Sequence, residues 1–446
     1  MGLGGIVPQP ARSPERRLHP TEISDACSLP DRPTQKAGGQ ARRVFKRRDG
    51  SDVSGVLDGI RVLDFGRYIA GPYCACLLGD MGADVIRIEK RSGSEDRWTS
   101  PVAEGGEGSL FMQVNRNKRG ITLDPRSDEG REVVRRLVAT ADVVVANLPP
   151  QTMESMGLDY ATLVETKPDI ILATVSAYGH GGPWSHRVGF DGVAQAMSGA
   201  MYLTGHEDEP MRLYYPWVDF TTAMLTAYGT MAALFERQRT GRGQQVEGAL
   251  LMSALTVGNG TLIEQDVIQS NRVASANRGQ IAAPSDCFRT TDGWVLVMAI
   301  GQPLFERWTR LIGEDHWLSD PRFADDISRG NHGELVSERM ARWCETRTTE
   351  ECLAELDEAR IPAGPVYSPQ EALEHEHVQA MKFMLPIDYP GLPKPAPVAD
   401  TPVRLSETPG GIRHRAPVLG EHTDELLTEV GYDEAAVAAL RASGVV

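Results

Sequence analysis

From Ile60 onward, short apolar runs alternate with amphipathic or small-residue stretches, and this alternation predicts the elements directly. Ile60 to Phe65 reads as a strand, Gly66 to Gly71 as a loop, and Pro72 opens a small-residue helix that stops near Gly82. Ala83 to Glu89 is the next strand, which completes a βαβ unit. The pattern repeats with Ile121 to Asp124, a helix from about Ser127 to Ala139, a strand from Asp142 to Leu148, helical turns to about Glu165, and a strand from Asp169 to Gly179. Strands alternating with helices in this way predict an α/β fold, a mainly parallel sheet with helices on both faces. Ligands of such sheets gather outside the carboxyl ends of the strands. The candidate loops are therefore 66–71, 89–97, 124–127, 147–151 and 176–192.

Further along, Val193 to Met197 opens a buried helix, Phe220 to Gln238 is a long apolar helix stopped at Thr240–Gly243, and another helix or buried segment runs to about Ile268. From about Asn277 the texture changes. Cys287 to Ile300 reads as two strands around a Thr-Asp-Gly turn, followed by helices with charged faces, a smaller α+β domain. The proline-rich stretch Asp388 to Pro397 reads as a linker, and helices between Asp424 and Ala442 are expected to pack on the first sheet. The organisation expected is an extension over 1–54, a large domain over 55–270, a small domain over 277–387, and a return to the large domain over 388–446.

Composition narrows the function. No run approaches the ~18 apolar residues of a membrane span, and the N-terminus carries charges and prolines where a signal peptide needs an apolar stretch. A cytoplasmic protein is expected. The net charge is −15; residues 1–54 carry +4 and the remainder −19, which argues against nucleic acid or an anionic membrane as partner. Within 1–54 no periodicity is sustained, and the Arg42 to Arg48 cluster reads as a solvated basic tail on a disordered or arm-like segment. Of the six cysteines only Cys74 and Cys76 are close, with no second pair at metal-ligand spacing, so packed, reduced thiols and no metal site are expected.

The loop Gly66 to Gly71 lacks the G-x-G-x-x-G spacing that a dinucleotide pyrophosphate needs, and no P-loop or G-x-S-x-G elbow occurs. His375-Glu376-His377 is not a zinc motif, since its imidazoles diverge on a helix. Attention falls on 176–192. Gly179-His180-Gly181-Gly182 is either a flexible turn or a set of backbone N–H donors for an oxyanion. Asp191, just ahead of the Val193 to Met197 run, is either an N-cap of that helix or a nucleophilic carboxylate. His180 and His186 flank it as surface histidines or acid/base partners. Tyr202, Tyr214, Tyr215 and Trp217 form a pocket wall or core.

Ten ordered segments carry a resemblance. They are LDGIRVLDFGRYIAGP (57–72), GDMGADVIRIEK (79–90), NRNKRGITLDP (115–125), ADVVVANLPP (141–150), AYGHGGP (177–183), GFDGVAQAMSG (189–199), RTGRGQQVEGALL (239–251), TTDGWVLV (290–297), RIPAGPVYS (360–368) and RAPVLGEHT (415–423). Together they resemble the family III CoA-transferases, the group of the formyl-CoA:oxalate, carnitine and bile-acid enzymes. The resemblance implies a large Rossmann-like domain built from both chain ends, an inserted small domain, and an interlocked homodimer. It places the family's aspartate nucleophile on Asp191 and CoA contacts on Ile69, Ala70, Lys90, Leu123, Arg126, Asn147, Leu148, Ser176, Tyr178 and Gly179. A coenzyme A thioester is then a substrate rather than a bound cofactor, and a carboxylic acid is the acceptor.

Two departures modify that expectation. Some members hold the CoA phosphates with a basic side chain near Pro149 or Ser155, absent here, which leaves Lys90 and Arg126 to supply the charge. Ile69 stands where the formyl-CoA branch has glutamine, which disfavours formyl-CoA and oxalate. The aromatic group favours a medium-sized, partly apolar monocarboxylate as acceptor. The alternatives are an α-methylacyl-CoA racemase, which needs a histidine near 154–168 that this chain lacks, and a non-catalytic CoA-binding protein.

Overall fold

A computed structural model describes residues 55–446, so the expectations for 1–54 and for Cys27 lie outside the described residues. Six strands, β1 (Arg61–Asp64), β2 (Asp84–Glu89), β3 (Lys118–Thr122), β4 (Val143–Ala146), β5 (Ile171–Ser176) and β6 (Gln245–Ala249), form one sheet in the order β3-β2-β1-β4-β5-β6. All five pairings are parallel. The strand order reverses between β1 and β4, which is where an open α/β sheet leaves a crevice for a ligand.

Alternate residues of a strand enter opposite cores, the reason a central strand such as β4 is apolar at successive positions rather than at every second one. Leu63, Ile86, Ile121, Val144 and Leu172 face the helix Asp128–Ala139 and the C-terminal helices Thr423–Glu429 and Glu434–Ala442. Val62, Val85, Val143, Val145 and Ile171 face the helices Ala70–Asp80 and Trp217–Thr240. The C-terminal helices thus complete the core that the first strands begin.

Two elements differ from the sequence reading. β3 begins at Lys118 rather than Ile121, because Lys118 pairs in register with Val85 and its buried ammonium is bonded to Asp64 at 2.7 Å. Gln245–Ala249, read as helix or buried segment, is the sixth strand. Its Gly248 lies against the Trp217–Thr240 helix so closely that an added Cβ would stand 2.3 Å from Thr226 Oγ1.

Beyond the sheet, Ser285–Arg289 and Trp294–Met298 pair antiparallel around the Thr-Asp-Gly turn, and Ala363–Pro365 adds a third strand. Their buried side chains join Phe305, Trp308, Trp317 and Phe323 in a separate core. The proline-rich stretch connects two more antiparallel strands, Met384–Ile387 and Ala396–Ala399, and Tyr389 within it packs on Phe111. Among the described residues no helix is long and apolar enough to cross a membrane.

Candidate active site

The loops after β1 and β4 are tied together across the crevice. Arg67 N–H donates to Asn147 Oδ1 at 2.6 Å, and Asn147 Nδ2 donates back to Arg67 O at 2.8 Å. The β1 loop is also held from below. Asp64 Oδ1 accepts from Gly66 N–H at 2.8 Å, and Arg87 bonds to Gly66 O while pairing with Asp64 at 3.3 Å and Asp96 at 2.9 Å. These charges are buried, so each needs its partner.

Above this floor opens a cleft of about 480 Å³ at the carboxyl ends of β4, β5 and β6. Its walls include Arg67, Asn147, Ser176, Phe190 and Asp219, with His180, His186 and Arg187 on an exposed rim. Arg187 stacks on Trp184 at 4.0 Å, which keeps a cation at that rim. A larger cavity of about 830 Å³ lies at the amino ends of β1 to β3. Its Arg61 and Arg119 are both committed to Asp84 and Glu429, and none of Phe190, Asp191 and Asp219 lines it. The smaller cleft is therefore the candidate site.

Asp191 begins the helix Asp191–Met197 and is 6% exposed; it is not itself among the cleft-lining residues, which include its neighbour Phe190 and Asp219, whose N–H it accepts. It does not cap its own helix. Its Oδ2 accepts from Val218 N–H at 2.7 Å and Asp219 N–H at 3.0 Å, the first turn of the 24-residue helix Trp217–Thr240, and Gln195 Nε2 donates to Oδ1. A carboxylate at the N-terminus of a long helix meets free N–H donors and the positive end of the dipole. That helix starts three residues before the expected Phe220, with Pro216 at its N-cap supplying no side chain for the role. Asp191 supplies it instead.

Asp219, not singled out from the sequence, is the second acid here. Its side chain lines the cleft, and among the described residues it has no hydrogen-bond partner. Burial and the neighbouring Asp191 charge push its carboxyl up to about 7. The sequence signal for it, an acid in a helix's first turn, is too common to have marked it.

Of the expected CoA contacts, Ala70, Asn147, Leu148 and Ser176 line the cleft. Ile69 is buried at the start of the Ala70–Asp80 helix, and Leu123 is fully buried. Lys90 and Arg126 stand outside the cleft lining, paired with Glu95 and Asp124, while the cleft's own cations are Arg67 and Arg187. The N–H groups of Gly179 and Gly182 bond to Ser176 Oγ and Ser185 Oγ, both at 2.9 Å, so two of the expected oxyanion donors are used within the turn. Tyr178 packs edge-on against Trp184. Tyr202, Tyr214 and Tyr215 form no wall of this cleft; they are 58%, 83% and 66% exposed. The five described cysteines are free, and burial pushes Cys74 and Cys76 up to about 12, as packed thiols require.

Residues 57–423 match the model of CoA-transferase family III. The chain is 36% identical to a succinyl-CoA:mesaconate CoA-transferase of Haloarcula hispanica over 84% of its length and 97% of that protein. It is 32% identical to a succinyl-CoA:glutarate CoA-transferase of Mus musculus, over 92% of the chain and 94% of the relative. Among solved structures it superposes on a CAIB/BAIF family protein from Brucella suis with a TM-score of 0.75 at 30% identity, covering 85% of this chain and 100% of the other.

Proposed function

The chain belongs to CoA-transferase family III, and on that premise we propose that it moves CoA from an acyl-CoA donor to a dicarboxylic acid through covalent intermediates on Asp191. The Asp191 carboxylate attacks the thioester carbonyl and expels the CoA thiolate, giving a mixed anhydride. The thiolate attacks the aspartyl carbonyl, releasing the donor acid as its carboxylate and leaving an aspartyl thioester. The acceptor carboxylate attacks that thioester, again expelling thiolate, which returns to the acceptor's acyl carbon and frees Asp191. No proton is consumed, and the thioester bond energy is kept throughout.

The observation that carries this reading is the pair of N–H groups on Asp191 Oδ2. Attack on the aspartyl carbonyl places negative charge on an aspartyl oxygen, and donors fixed at a helix N-terminus stabilise that charge without reorganising. A merely structural cap has no need to adjoin the cleft. The dicarboxylate assignment rests on Arg67 and Arg187 and on the acids for which the relatives are named, mesaconate and glutarate. The aromatic residues that favour a monocarboxylate in the sequence stand outside the cleft and give its acceptor no apolar wall. The helices Pro150–Met156 and Tyr160–Thr166 contain no histidine to partner Asp191 in racemisation.

We propose further that the working molecule is a homodimer. The test of the chemistry is to incubate the protein with succinyl-CoA and a panel of mono- and dicarboxylic acids, quench with hydroxylamine, and map the product by mass spectrometry. Label on Asp191, turnover favouring dicarboxylic acids, and a loss of roughly 10³-fold or more in Asp191→Ala are expected. Transfer by Asp191→Ala at the parent rate would sink the mechanism.

A further inference from the structure

Asp219 lines the cleft and Asp191 lies against it, accepting the Asp219 N–H at 3.0 Å, and the hydrogen-bond inventories of the two carboxyl groups are opposite. Asp191 accepts three donors, from Val218 N–H, Asp219 N–H and Gln195 Nε2; the Asp219 carboxyl accepts none among the described residues. Two carboxylates in a partly desolvated site cannot both ionise without a large penalty, and the one with donors keeps the charge. The proton therefore belongs on Asp219. From these placements we infer that Asp219, in its protonated form, is the hydrogen-bond donor that receives the substrate's reacting carboxylate beside Asp191.

This inference rests on the reading of Asp191 given above and extends it to the acceptor. When Asp191 is held as a thioester its charge is gone, and the site can admit one new negative charge. The acceptor carboxylate brings that charge. Protonated Asp219 donates its O–H to an acceptor oxygen, so one proton again serves two carboxyl groups and nothing is consumed. Ionised Asp219 would instead repel the acceptor. The other titratable or charged groups lining the cleft are Arg67 and Tyr68 after β1, Glu154, Asp159 and Tyr160 after β4, His180, His186 and Arg187 after β5, and Glu247 on β6. Of the charges around it, only that of Asp191 acts on the Asp219 carboxyl, in the same direction as burial. Burial, the larger of the two causes, persists when the Asp191 charge is gone, so the Asp219 carboxyl stays above its ordinary range when the acceptor arrives.

The test compares the full-length protein with Asp219→Asn and Asp219→Leu. Asparagine keeps a donor of similar shape but cannot titrate; leucine removes the donor. Succinate binding is measured by calorimetry in an Asp191→Asn background, whose neutral side chain stands in for the thioester, and Asp191 acylation by succinyl-CoA is measured in the proteins that keep Asp191 by hydroxylamine trapping, from about pH 6 to about pH 9. With Asp219 intact, succinate affinity should fall about tenfold per pH unit once Asp219 ionises. In Asp219→Asn that decline should vanish, so the variant binds more tightly than the parent at the alkaline end. Asp219→Leu should bind weakly at every pH, with thermal melts showing that both variants are folded.

An acidic residue that only stabilises the first turn of its helix would leave the alkaline decline in place, and an unchanged decline in Asp219→Asn overturns the inference even if Asp191 is labelled. Absence of label on Asp191 overturns the covalent reading instead, while the pH dependence of succinate binding still decides the role of Asp219.

Discussion

The carboxylate of Asp191 takes its backbone donors from residues 27 and 28 positions further along the chain. An acid ahead of an apolar helix reads locally as a cap first and as a nucleophile only through the family resemblance; the long-range donors come from tertiary structure and cannot be read locally. Asp219 was hidden for the same reason, since its meaning lies in its distance from Asp191. Gln195 is the third holder. Its Nε2 donates to Asp191 Oδ1 while its Oε1 accepts Leu213 N–H at 3.0 Å, so it links Asp191 to the segment leading into the long helix. Gln195→Leu should therefore lower kcat by roughly 10- to 100-fold with a smaller change in KM, because a donor to the reacting group is lost while the cleft wall stays. Steady-state kinetics with succinyl-CoA check this, and a rise in KM at constant kcat would assign Gln195 to substrate binding instead.

At the scale of elements, the strands were legible where burial on both faces made them uniformly apolar, as in Val143–Ala146. β6 was not, because it is an edge strand whose Gln245, Glu247 and Gly248 carry none of that signal. The β1 loop was placed correctly by topology, but its support was invisible. Asp64, Arg87, Lys118 and Asp96 lie far apart in sequence and form one buried ion network. Burial alone would raise the Asp64 carboxyl; Lys118 and Arg87 outweigh that and hold it below its ordinary range. Arg87→Met removes the ion that joins both aspartates to Gly66 O and leaves buried charge uncompensated. The expected cost is about 3–5 kcal/mol in urea unfolding, with weaker CoA binding as the Gly66–Arg67 loop loosens. A loss under about 1 kcal/mol would mean that water or Lys118 replaces the guanidinium.

At the scale of the whole molecule, the Trp217–Thr240 helix is apolar on both sides. Val218, Ala223, Ala227, Ala233 and Leu234 face the sheet, whereas Leu225, Tyr228 and Phe235, spaced three and seven residues apart, are 44%, 75% and 72% exposed. The next helices, Leu250–Val257 and Asn259–Ile268, continue the surface with Met252, Ile263, Val267 and Ile268. A helix apolar all round belongs in an interior, and an exposed surface of this kind marks an association site. The exposed Tyr202, Tyr214 and Tyr215, which form no part of the cleft, fit an interface better than a substrate pocket. A second copy of the chain is the partner that the homodimer proposal supplies. Sedimentation equilibrium should return twice the 48.7 kDa chain mass. Tyr228→Glu combined with Phe235→Glu places two charges in the centre of that surface and should give monomers that retain the sheet's circular dichroism. Monomers already present in the parent protein at micromolar concentration would show that something else covers these helices.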